Sequence, residues 1–101
     1  MIKVQVKKEN DIIESIYITG HYGYSEAGSD IVCASVSSIC ITTVNAIVRI
    51  DSNAIEYEEK DGMLKVDIKN HSEVIDILTL NMVELLCELA NDYKEYIKII
   101  K

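Results

Sequence analysis

The spacing of hydrophobic residues changes four times along this chain, and each change marks a boundary between strands and a helix. Ile2, Val4 and Val6 alternate with Lys3, Gln5 and Lys7, the period-2 pattern of a half-buried strand. Lys8-Glu9-Asn10-Asp11 reads as a polar turn. Ile12 to Thr19 then resumes the alternation, with Ile12, Glu14, Ile16 and Ile18 on one face, so the two segments form an antiparallel hairpin. From Ser29 to about Asp51 the spacing becomes three and four, through Val32, Val36, Ile39, Thr43, Ala46 and Ile50. Ser29 suits the N-cap of that helix, and Asp30 complements its dipole. Rich in Val, Ile, Ser and Thr, the segment has weak helix propensity, so packing must hold it and a central, buried place is expected.

Ala54 to Glu59 and Met63 to Lys69 flank Lys60-Asp61-Gly62, where Asp-Gly tolerates the positive φ angles of a tight hairpin. A second helix follows a cap at Asn70 or Ser72, with Ile75, Leu78, Met82, Leu85 and Leu89 as its apolar stripe. Tyr96 to Lys101 closes the chain as a short strand. The order ββαββαβ predicts an α+β fold, an antiparallel sheet packed against two helices, with residues 1–101 as a single domain.

Charge narrows the function classes. Ten Lys and Arg against 17 Asp and Glu leave a net charge of −7. Such a surface repels phosphate backbones, which argues against direct nucleic acid binding, and favours a basic partner or substrate. No apolar run is read as reaching the ~20 residues of a membrane span. The alternating N-terminus is unlike a signal peptide, so the expected location is cytoplasmic. Three cysteines (Cys33, Cys40 and Cys87) without a CxxC pair read as free thiols in a reducing compartment. Without CxxC or HxxxH spacing, neither a metal nor a cofactor is expected.

One of the three thiols stands where a buried hydrophobe would not. Cys33 lies about one turn past Ser29, where unpaired backbone N–H groups and the helix dipole stabilise a thiolate. His21 follows the second strand, 12 positions earlier. Between them runs a loop holding three of the four glycines (Gly20, Gly23 and Gly28), able to bring imidazole and thiol together and to close over a peptide. A histidine beside a thiolate is the minimum for cysteine nucleophilic catalysis. A surface histidine and a buried cysteine is the plainer alternative.

These residues carry a family resemblance. Gly20-His21-Tyr22-Gly23-Tyr24, a short loop, and Asp30-Ile31-Val32-Cys33-Ala34-Ser35-Val36-Ser37 closely resemble the ribosomal-processing cysteine protease (Prp) family pattern GHxGY followed by DIVCAAVS. The one departure is Ser35 in place of alanine. The resemblance covers the whole chain. It implies a homodimeric cysteine endopeptidase that removes the N-terminal extension of a large-subunit ribosomal protein, with Cys33 as nucleophile and His21 as general base. Gly20, Asp30 and Ser37 match further motif positions.

The residues themselves leave several roles open. Ser37, at i+4 from Cys33, bonds either near the sulfur or back to a helix carbonyl. Asp30 either orients His21 or serves the helix N-terminus. Tyr22 and Tyr24 either wall a substrate side chain or cover the helix. Cys40 and Cys87 read as core residues, and His71 as a solvated loop histidine. Glu56-Tyr57-Glu58-Glu59 is either a solvated face or a lure for a basic substrate. Two readings compete with the protease: a non-catalytic homodimeric ribosome-assembly binding protein of the same fold, and a thiol acyltransferase or redox sensor.

Overall fold

The computed structural model describes residues 1–20, 29–60 and 62–101, with positions 29 and 30 as backbone only. Its elements are β1 (Ile2–Glu9), β2 (Ile12–Thr19), α1 (Ser29–Ile50), β3 (Ile55–Lys60), β4 (Met63–Ile68), α2 (Glu73–Asp92) and β5 (Ile97–Ile100). The order is the expected ββαββαβ. The strands form one sheet, β3-β4-β2-β1-β5. β1, β2, β4 and β3 are joined by antiparallel pairings, whereas β5 runs parallel to β1. The sheet is therefore mixed, which corrects the antiparallel expectation. The cause is topological: α2 carries the chain back from the end of β4 to the end where β1 begins. A strand starting there beside β1 has only the parallel direction open to it.

Residues 10 and 11 also correct the sequence reading. β1 continues through Glu9, and the turn is the two residues Asn10 and Asp11, with φ of 52° and 64°. Asn and Asp tolerate this left-handed region, which two-residue hairpin turns need. The register then shifts between Lys7 and Lys8, which face Ser15 and Ile13 and leave Glu14 as the extra residue of a β-bulge. The bulge reverses the alternation. Ile13, Ile16 and Ile18 are buried, and Ile12, expected inside, is exposed.

The buried apolar residues of all five strands lie on one face. Ile2, Val4, Val6, Leu64, Val66, Ile68 and Ile97 join those of β2 in a single core cluster. Both helices cover that face. α1 presents Val32, Val36, Cys40, Val44 and Ile47, and α2 presents Ile75, Met82, Val83 and Leu86. Burying each of the larger side chains contributes about 1.5–3 kcal/mol, which offsets the weak helix propensity of α1.

The expected central burial of α1 is corrected to one buried face, since Ile31, Ile41 and Ile50 are exposed. Ile31–Ile50 is also long and apolar enough to cross a membrane by length and composition, with a mean hydropathy of 2.0, which corrects the sequence reading. Packing on the sheet buries a third of that window. In α2, Leu85 is exposed rather than buried, because Val83 and Leu86 take the inward positions. Ser72 is the N-cap, its Oγ accepting a hydrogen bond from the Ile75 N–H at 3.2 Å.

His71 is the exposed loop histidine expected, but both of its ring nitrogens have carboxylate partners. Its Nδ1 lies 2.7 Å from Asp76 and its Nε2 3.1 Å from Glu14, the bulge residue. Hydrogen bonds donated first to Asp76 and then to Glu14 raise its pKa above the ordinary 6.5. The clamp ties the start of α2 to the bulge.

Two outcomes follow for stability. Because the folded-state pKa is raised, the clamp's contribution is complete below pH 6.5 and disappears as pH rises through the folded value. Melting at pH 6 and pH 8 should show a larger fall in Tm for the native chain than for His71→Gln; equal falls would mean the clamp contributes nothing. Gly20 has a φ of 75°, and a Cβ there would stand 2.6 Å from the Met1 carbonyl oxygen. Gly20→Ala should cost about 2 kcal/mol. Thermal melts should register this as a Tm lower by roughly 10 °C.

Candidate active site

The site is built at one end of the sheet. β2 leaves the sheet at Gly20, whose N–H donates to the Gly62 carbonyl oxygen at 2.8 Å. Gly20 is thus pinned between the β3–β4 hairpin and the backbone of Met1, where no Cβ fits. Its motif role is structural, a close backbone approach rather than loop freedom.

α1 returns to the same end. Its C-terminal turn lies at the opposite end, where the Ala54 N–H donates to Asp51 O and Ala54 O accepts from Lys69 and Asn70. β3 starts there and runs back antiparallel to α1. Cys40 borders the same groove as Glu59 and Leu64, one residue short of the hairpin end. Seven residues of helix span about 10 Å, so Cys33 rises past this level to the hairpin tip and the end of β2. Ser37 lies one turn below Cys33 and is half-buried.

Environment separates the three thiols. Cys33 is half-buried and packed against the edge of the core, at the start of the second turn of α1. Cys40 is fully buried, and burial, with a smaller contribution from Glu59, pushes its thiol up to about 12. It stays protonated and inert at neutral pH. Cys87 is half-buried against the core. Ser35, the departure from the motif, donates its hydroxyl to Ile31 O at 2.8 Å, satisfied within the helix.

His21, Tyr22, Gly23 and Tyr24 lie outside the described residues, as does the side chain of Asp30. The structure therefore places the two anchor points, Gly20 and Cys33, and the thiol's surroundings. Among the described residues, no group of three or more His, Cys, Asp or Glu side chains is arranged to hold a metal ion. Chemically, this end offers a half-buried thiol near the N-terminus of α1, the nucleophile that cysteine catalysis requires. Sequence reasoning missed the His71 clamp, whose partner Glu14 is 57 residues away. It also missed a groove beside Cys40, for which the seven-residue spacing of Cys33 and Cys40 was the available signal.

The comparisons with known proteins bear on the family and the fold. The profile of the family described as Cysteine protease Prp matches residues 1–98. The Ribosomal processing cysteine protease Prp of Staphylococcus aureus is 26% identical over 101 residues, covering 97% of this chain and 94% of its own length. Its counterpart in Bacillus subtilis is 24% identical, covering 98% and 96%. A crystal structure from Streptococcus mutans superposes with a TM-score of 0.88 at 27% identity, covering 99% of this chain and 92% of that one. The S. aureus protease in complex with a substrate peptide gives 0.91 at 23% identity, covering 98% and 97%, a likeness of fold. With the profile spanning nearly its whole length, the chain belongs to the cysteine protease Prp family.

Proposed function

We propose that this chain is a cytoplasmic, homodimeric cysteine endopeptidase that removes the N-terminal extension of a large-subunit ribosomal protein. The observation that carries the reading is the half-buried thiol of Cys33 in the first turns of α1, at the sheet end where Gly20 leads into His21. His21 takes the thiol proton, and the thiolate attacks the scissile carbonyl carbon. Backbone N–H groups around Cys33 stabilise the oxyanion. The imidazolium then protonates the leaving amine as the C–N bond breaks, leaving a thioester on Cys33. Water, deprotonated by His21, hydrolyses that thioester and restores the thiol.

Around this pair, Gly20 supports the backbone, the motif residues Tyr22, Gly23 and Tyr24 are assigned to substrate binding, and Asp30 and Ser37 sit in the helix turns flanking Cys33. The chain's charge of −7 suits a basic substrate. For the homodimer, the supporting feature is the outer face of α2, where Val74, Ile77, Leu80 and Leu85 are exposed together.

A peptide spanning the extension and the start of the mature protein should be cut once by the native chain, read by mass spectrometry. Cys33→Ala should leave it intact, and His21→Ala should lower kcat/KM by roughly 10²- to 10⁴-fold. Near-native turnover by either variant would remove the dyad; an uncut peptide would favour a non-catalytic binding role. Separately, limiting iodoacetamide at neutral pH should label Cys33 before Cys40, whose thiol is inaccessible and protonated. Labelling of Cys40 first would contradict the assigned nucleophile.

A further inference from the structure

Between the middle of α1 and the edge strand β3 lies a groove of about 210 Å³, bordered by Cys40, Ile41, Val44, Tyr57, Glu59 and Leu64. Cys40, Val44 and Leu64 are buried and form an apolar floor. Ile41 and Tyr57, 48% and 55% exposed, form the rims. Pockets for drug-sized ligands run to ~300–1,000 Å³. This one is smaller, which suits a single side chain of an extended peptide.

The charge pattern of β3 adds to the case. The strand period divides the Glu56–Glu59 cluster between two faces. On the open face, Glu58 pairs with Lys60 at 2.8 Å and Glu56 with Lys69 at 3.7 Å. Tyr57 and Glu59 turn to the helix side and border the groove. The one carboxylate at the groove is therefore beside an apolar floor, a combination complementary to an apolar residue next to a basic one.

The groove lies two turns along α1 from Cys33. Residues 33, 37, 40 and 44 recur at helical spacing along one face of α1, so the groove floor extends the face that carries the thiol. The distance from Cys33 to Cys40 along the axis is about 10 Å, which an extended peptide covers in about three residues. β3, an edge strand, leaves one row of backbone groups to such a peptide.

We propose that this groove is a specificity subsite, holding an apolar substrate side chain about three residues from the bond cut at Cys33 while Glu59 pairs with a neighbouring lysine or arginine. The inference rests on the peptidase reading above and adds which chain surface reads the sequence.

The test is a set of extension peptides in which each of the five residues on either side of the scissile bond is replaced singly by Asp. Cleavage is read for the native chain, Ile41→Glu and Glu59→Lys, and binding is read by fluorescence anisotropy on the same variants carrying Cys33→Ala. With the native chain, Asp about three residues from the bond on one side should cost roughly tenfold or more in kcat/KM. Glu59→Lys should cost the unmodified peptide about fivefold, the size of one exposed ion pair, and should recover about the same factor for the peptide whose basic neighbour is replaced by Asp. Ile41→Glu should weaken binding of the unmodified peptide. Identical peptide preferences in all three proteins would overturn the subsite and leave the protease. An uncut peptide whose binding still responds to Glu59→Lys would overturn the processing role and leave the groove. An uncut peptide with no such response would overturn both.

Discussion

One-sided burial of the sheet is the constraint on which the rest of the structure depends. Val4, Ile16, Ile18 and Val66 are all at or near zero exposure on the helix side, while their neighbours Lys3, Gln5, Tyr17 and Lys65 face the other way. Because that apolar face is single, both helices must cover it, and each has to fit beside the other. α1 therefore runs the length of the sheet antiparallel to β3. Its N-terminal turns overshoot the β3–β4 hairpin and reach the end where β2 finishes. The position of Cys33 is a consequence of core packing as much as of the motif around it.

A helix that does this holds two thiols in different chemical states. Cys33 and Cys40 share a face two turns apart, yet only Cys40 is sealed beneath the sheet and held as a neutral thiol. At Cys40 desolvation penalises the thiolate. Two turns toward the N-terminus, Cys33 is half-buried at the edge of the core. The sealed thiol then serves as groove floor, and the open one is positioned for chemistry.

At the opposite end, the bulge at Glu14, His71 and the first turn of α2 form a separate polar fastening. The bulge turns Glu14 out of the strand's alternation and toward a histidine that Asp76 already orients. Its protonation is linked to folding stability, in a place remote from Cys33. A pH profile of melting and a pH profile of cleavage would therefore report different groups.

The local spacing of residues was enough to determine the element order, the Ser72 cap, the hairpin at Gly62 and the motif around Cys33, because each depends on neighbours within one turn or one strand. The single-residue bulge was not legible, since which of two adjacent isoleucines points inward is settled by the partner strand. For the same reason the apolar stripe of α1 was misplaced toward Ile50: an all-round apolar helix has several possible inward faces, and only the sheet selects one. The parallel placement of β5 depended on where α2 delivers the chain. The His71 clamp and the Cys40–Tyr57–Glu59 groove join residues far apart in sequence. The sequence alone determined which chemistry the chain carries; tertiary packing decided which thiol is sealed and what surface lies beside the open one, because burial is a property of the whole core.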